Sequence, residues 1–123
     1  MTDAKTKAAA YYTALGNKNI ESVKEYIHPN IEFTDPQEKL VGKEAFLEAA
    51  KGFSNIFKTL TIHSKFGSED QAVVVYDLDI PSLAKNLRAV SLLSFEEGLI
   101  SKIELIYDTQ CLKEEKENIS PNK

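Results

Sequence analysis

The chain is poor in the residues from which most recognisable reactive centres are built. Its 123 residues include one cysteine, one methionine, two histidines and no tryptophan. Cys111 can form neither an internal disulfide nor a thiolate cluster, and with no histidine near it in sequence an inert thiol is the plainer reading than a nucleophile. His28 and His63 belong to no HExxH or metal-carboxylate spacing, so neither a metal nor another cofactor is expected. The five glycines build no phosphate loop, Walker segment or nucleophile elbow. No apolar run approaches the ~20 residues of a membrane span. Met1 to Lys7 leads into Ala8, Ala9 and Ala10 without the apolar core of a secretory leader, so the expected compartment is the cytoplasm, with no membrane partner. Positive charge is short as well. Fifteen Lys and Arg against nineteen Asp and Glu leave a net charge of -4, without the basic field that a nucleic-acid or anionic-membrane partner requires.

What is present suits one soluble domain, with 42% apolar and 28% charged residues. Ala4, Ala8, Tyr11, Tyr12 and Leu15 recur at helical spacing, with Asp3 or Thr2 to cap the start and Gly16 to end it. Asn19 offers a second cap before Ile20, Val23, Tyr26 and Ile27, a helix expected to run to His28-Pro29. A short strand, Ile31 to Pro36, and a turn-rich stretch from Gln37 to Gly42 lead into a third helix. Its apolar side carries Phe46, Ala49, Ala50, Phe53, Ile56 and Phe57.

From Thr59 the period becomes two. Leu60, Ile62, Ser64 and Phe66 alternate with Thr61, His63 and Lys65, and the chain then turns at Gly67 to Asp70. Ala72 to Ile80 returns, Pro81 to Asn86 is a loop, and Leu87 to Phe95 with Leu99 to Tyr107 make a last hairpin about Glu96-Glu97-Gly98. Helices followed by an antiparallel meander is the α+β pattern: three helices packed on one face of a curved sheet. Residues 1–110 are expected to form this domain. Residues 111–123 are expected to be a charged, mobile tail, since apolar residues nearly vanish after Lys113.

Two strands are apolar on both sides. Val74, Tyr76 and Leu78 oppose Val73 and Val75, while Ser91, Leu93 and Phe95 oppose Val90 and Leu92. Helices cover one face only, so the other, which includes Ile106, predicts a homodimer through the outer sheet face.

Asp35 is the oddest residue, because alternation sets it on the same side as Ile31 and Phe33. It either accepts backbone hydrogen bonds in the turn that Pro36 begins, or works in a pocket. Tyr11 lies on a core-facing stripe, where packing is the plainer role, and Tyr12 competes with it for the inward position. His28 is read as a helix end and His63 as a surface or dimer contact. Asp77 and Asp79 alternate with Tyr76 and Leu78, and are expected to face solvent or the partner.

The stretch Tyr11-Tyr12-Thr13-Ala14-Leu15, a second helix, then Asn30-Ile31-Glu32-Phe33-Thr34-Asp35-Pro36, resembles the amino-terminal half of ketosteroid isomerases. More broadly it looks like the SnoaL-like and nuclear transport factor 2-like (NTF2-like) superfamily, whose cystatin-like cone has the same element order. Gly42-Lys43-Glu44-Ala45-Phe46 and the hairpin Ser94 to Ile103 extend the likeness over about residues 4 to 108. The resemblance implies isomerase or cyclase chemistry with Asp35 as general base and Tyr11 as donor to the developing enolate oxygen. In the isomerases a protonated aspartic acid is the second donor; its position matches Ser91 here, a weaker one. A supporting tyrosine of the family matches Ala50.

A cone lined by Phe33, Phe46, Phe53, Ile62, Val74, Tyr76, Leu78, Leu93, Ile103, Leu105 and Tyr107 would be apolar. An apolar lining makes a carboxylate a stronger base, so Asp35 could take a proton alpha to a carbonyl while Tyr11 and Ser91 hold the oxyanion. The expected partner is a small hydrophobic molecule. The same pocket would serve a non-catalytic ligand-binding or dimerisation module, and the outer sheet or pocket rim a protein-binding adaptor.

Overall fold

The computed structural model describes residues 3–82 and 84–107. The tail expected at 111–123, with Cys111, lies outside the described residues.

Helix α1 (Ala4–Gly16) begins where Asp3 Oδ1 accepts from the Thr6 amide at 2.9 Å. Those hydrogen bonds hold the Asp3 carboxyl below its ordinary range. Ala4, Ala8, Tyr11, Tyr12 and Leu15 are buried on its inner stripe, which packs on the sheet. Lys18 takes a left-handed backbone (φ 62°). Its Nζ donates to the Phe57 carbonyl at 2.5 Å and lies 4.5 Å from the Phe57 ring centroid, tying the turn after α1 to the stretch that follows the third helix.

Helix α2 (Ile20–Lys24) is capped by Asn19 and is five residues long, shorter than the expected run to His28. The strand that follows is correspondingly longer: β1 spans Ile27–Thr34. Ile27 and Pro29 favour extended backbone, and Ile27 pairs with Ile100, while the Tyr26 carbonyl accepts the Ile100 amide at 2.7 Å. Cross-strand pairing outweighs the helical spacing of Tyr26 and Ile27. His28 is thus in a strand, its Nδ1 accepting the Asn30 amide at 3.0 Å. The turn-rich stretch holds a short strand, β2 (Lys39–Val41), antiparallel to β1.

Helix α3 (Lys43–Ser54) precedes β3 (Thr59–Gly67), β4 (Gln71–Ile80), β5 (Ala84–Glu96) and β6 (Leu99–Tyr107). The last hairpin turns on Glu97 (φ 53°) and Gly98 (φ 79°), the two positive angles of a type I′ turn. Gly67 is needed for space, since a Cβ there would sit 2.9 Å from Lys5 Cβ and 3.1 Å from the Gln71 carbonyl oxygen.

The six strands form one curved, unclosed sheet in the order β2-β1-β6-β5-β4-β3, with the three helices packed on it. The sheet is not wholly antiparallel as expected: β1 runs parallel to β6. β5 begins at Ala84, inside the stretch expected to be a loop.

β3 departs from simple alternation. Its register against β4 shifts between Ile62 and Ser64, so Ile62 faces Tyr76 but Ser64 faces Val75 and Phe66 faces Val73. The shift transfers Phe66 from the helix side to the outer side, where it is 60% exposed. Phe66, Val73, Val75, Val90, Leu92 and Ile106 therefore share the outer face, and Ile106 is 58% exposed. Among the described residues no helix is long and apolar enough to cross a membrane.

Ile31, buried completely between sheet and helices, sets the scale of core packing. Ile31→Ala should cost about 2–5 kcal/mol. Val41→Ala, on the exposed edge strand, should stay within about 0.5 kcal/mol. Urea denaturation with a constant slope checks both.

Candidate functional site

Strands β1, β4, β5 and β6 are each divided along the inner face. On β1, Ile27 and Ile31 are core while Phe33, with Asp35 just past the strand end, borders a cavity. On β4 the change falls between Val74 and Tyr76, and on β6 between Ile103 and Leu105. On β5, Leu93 is core, Leu87 and Ala89 line the cavity, and Ser91 stands at the boundary.

The cavity has a volume of about 340 Å³, which falls within the usual range for small-molecule sites. Small side chains make the room: Ala89 is paired between Tyr76 and Tyr107, and Ala49 and Ala50 face the same space from α3.

Of the expected lining residues, Phe33, Phe46, Phe53, Tyr76, Leu78, Leu105 and Tyr107 border the cavity. Val74, Leu93 and Ile103 do not; they are fully buried in the plugged half of the cone. Ile62, on the edge strand β3, packs against the core instead. Period-two alternation tells which face a residue occupies, not how far along the cone the helices fill it. Leu15, Leu40, Ile56, Ile80 and Leu87 also border the cavity, as do Gln37 and Glu38 at its rim.

Asp35 both caps a turn and borders the cavity. Its Oδ1 accepts the Gln37 and Glu38 amides, each at 2.8 Å, and its own amide donates to the Glu38 carbonyl at 3.0 Å. This Asx turn fixes the carboxyl group and leaves Oδ2 without a hydrogen-bond partner among the described residues. Asp35 is half-buried and borders the cavity beside the exposed Gln37 and Glu38, so it lies at the mouth.

Both tyrosines of α1 face the cavity, their rings edge to face with centroids 4.6 Å apart. Tyr12 donates to Ser91 Oγ at 2.6 Å, and the Tyr76 hydroxyl lies 3.1 Å from the same oxygen. Register explains the second contact, since Tyr76 pairs with Ala89 and so lies diagonal to Ser91. Ser91 is 0% exposed and does not border the cavity, so its hydroxyl sits behind the two phenols and does not reach a ligand directly. The Tyr11 hydroxyl has no hydrogen bond among the described residues. No enclosed side-chain oxygen or nitrogen there is left unpartnered, so this hydroxyl opens on the cavity.

Burial pushes the Tyr11 phenol far above its ordinary value, and Tyr76 adds to the effect. Burial likewise raises Tyr12, with Tyr76 and Tyr11 adding and the bond to Ser91 opposing. Tyr76 is raised by burial and drawn partly back by its bonded neighbours. All three are neutral donors at neutral pH. Among the described residues no group of three His, Cys, Asp or Glu side chains could hold a metal ion.

A family model described as a SnoaL-like domain matches residues 8–103. No curated protein matches the chain in sequence. Among solved structures, a protein from Kribbella flavida superposes with a TM-score of 0.87 at 22% identity, over 96% of this chain and 97% of that one. A steroid delta-isomerase from Pseudomonas aeruginosa gives 0.72 at 16%, over 91% and 87%. A candidate SnoaL-like polyketide cyclase from Shewanella denitrificans gives 0.76 at 16%, over 91% and 95%. At such identities these structures establish a shared NTF2-like architecture.

The raised phenols predict alkaline instability. An unfolded tyrosine ionises near pH 10, whereas the folded chain holds these three protonated beyond that value. Stability should therefore be constant below about pH 10 and fall above it, by up to about 1.4 kcal/mol per pH unit for each phenol. Urea denaturation between pH 8 and 11 measures the slope, and Tyr11→Phe should reduce it by about one phenol's share.

Proposed function

Because the chain belongs to the SnoaL-like domain family, we propose that it is a cofactor-independent isomerase or cyclase of the ketosteroid isomerase type, acting on a small hydrophobic carbonyl compound. The observation that carries this reading is one apolar cavity whose wall holds both an aspartate with an unengaged carboxylate oxygen and phenols that can donate. Asp35 Oδ2 takes a proton from the carbon alpha to the carbonyl. The C–H pair moves into the enolate, and the developing oxyanion is held by the Tyr11 hydroxyl. Returning the proton from Asp35 to a conjugated carbon completes an isomerisation. Proton transfer by a positioned carboxylate contributes about 10²–10⁴-fold, and one oxyanion donor about 10²–10³-fold.

Deuterium exchange into a panel of enolisable cyclic and aryl ketones tests the assignment. Wild type should accelerate exchange. Asp35→Asn keeps an oxygen for the Asx turn and should lower the rate at least about a hundredfold, while Tyr11→Phe should lower it by a comparable factor. Ketones that bind without exchanging would favour a non-catalytic binding module.

A second copy of the chain is the proposed cover for the outer sheet face. The Phe66, Val73, Val75, Val90, Leu92 and Ile106 patch is bordered by both signs of charge, the Asp77–Arg88 pair and the Lys102–Glu104 pair. A two-fold interface can match such a rim with itself. Sedimentation velocity at micromolar concentration should show a dimer, and Val90→Glu should yield a monomer.

A further inference from the structure

Tyr12, Ser91 and Tyr76 carry three hydroxyl protons and are joined by three hydrogen bonds. Two meet at Ser91 Oγ, 2.6 Å from the Tyr12 hydroxyl and 3.1 Å from that of Tyr76. The third links the two phenols, whose ring centroids lie 4.6 Å apart. Three bonds among three hydroxyls use every proton, so each group donates once and accepts once. Tyr12 is the donor to Ser91, and this sets the direction of the rest: Ser91 donates to Tyr76, and Tyr76 to Tyr12. The ring closes on itself.

A closed ring has no proton to spare, but it keeps lone pairs. Ser91 is wholly buried and does not border the cavity, so the lone pairs within a ligand's reach belong to Tyr12 and Tyr76, which do border it. A carbonyl can take a proton from this junction only by breaking one of its bonds, and so gains nothing net. A hydroxyl adds a fourth bond and breaks none. Bonds in such a ring polarise one another, which makes the phenol oxygens better acceptors. Tyr11 is the complement, since its hydroxyl has no hydrogen bond among the described residues and its proton is at a ligand's disposal.

We propose that the Tyr12–Ser91–Tyr76 ring receives a hydroxyl proton from the ligand, so that the substrate carries a hydroxyl group at its inner end besides the carbonyl that meets Tyr11. This rests on the carbonyl-compound reading and names a further group on that substrate. Ser91 is a positioning residue. It touches no ligand, and by closing the ring it makes the inner wall an acceptor.

The test uses Asp35→Asn/Tyr11→Phe protein, in which neither turnover nor the Tyr11 donor enters. Calorimetry compares 1-(2-naphthyl)ethanol, 2-acetylnaphthalene and 2-isopropylnaphthalene, one skeleton bearing a hydroxyl, a carbonyl or a methyl group. The alcohol should bind about fivefold or more tighter than the ketone. Adding Ser91→Ala leaves two phenols sharing one bond and frees a proton. Ketone affinity should then rise about fivefold, and the infrared carbonyl stretch of the bound ketone should move to lower frequency. Affinity for 2-isopropylnaphthalene should stay unchanged, which reports an intact cavity, whereas simple loss of packing would weaken all three ligands. Ser91→Thr keeps the hydroxyl and should keep the parent's order of affinities, so the comparison does not depend on Ser91→Ala alone.

The inference is overturned if the ketone binds as tightly as the alcohol in the parent, if none of the three binds, or if Ser91→Ala leaves both ketone affinity and carbonyl stretch unmoved. Its failure is separable from that of the isomerase reading, which deuterium exchange in wild type decides. A Ser91-dependent preference for the alcohol without exchange sinks only the isomerase reading, and Asp35-dependent exchange with no such preference sinks only this one.

Discussion

The bond from Tyr12 to Ser91 is the contact on which the rest of the site depends. It joins the first helix to the middle of the sheet where solid core gives way to hollow space. A polar contact buried so deeply is tolerated only if every hydroxyl finds a partner, and a two-phenol, one-serine junction allows that without a charge. The junction marks the inner limit of the cavity. Below it Val74, Leu93 and Ile103 fill the narrow end. Above it the alanines at 49, 50 and 89 leave space.

Around this junction the chain separates two chemistries along one cavity. The inner end is neutral and rich in hydroxyl groups, while the mouth has a carboxyl group held by its own turn. The phenols come from α1 and β4 and the carboxyl group from the turn after β1, so the polar groups on the cavity wall are held by different elements. The family's architecture accommodates other chemistries as well, so the residues at the two ends, not the cone, carry the functional argument.

The sequence made the layers legible because helical and period-two spacing are local signals. The three helices, the last four strands and the inward face of Tyr76, Leu78 and Leu105 follow from them directly. The misses came from tertiary terms. Ile27 reads as helix by spacing but is claimed by Ile100, seventy-three positions away in the chain. Phe66 reads as inward until the register shift near His63 reverses it. For the site, Asp35 stood out through its company of apolar residues, and the structure has it both accepting the turn's amides and bordering the cavity. Tyr11 and Tyr12 could not be separated by spacing, since both fit the stripe, and both face the hollow. Tyr12's link to Ser91 was not legible, because a bond between positions 79 apart depends on how the helix lies on the sheet.

The parallel pairing of β1 with β6 bears on the order in which the chain can assemble. Until the last strand is made, β1 has only the three-residue β2 beside it in the sheet. Pairing elements so distant in sequence closes a long loop before it gains contacts, a slow step in folding. During synthesis the β3–β5 meander can pair early, but the wall bearing Phe33 joins it only when residues near 103 have emerged. The cavity is thus completed at the end of folding, and a chain interrupted before β6 would present a sheet without one.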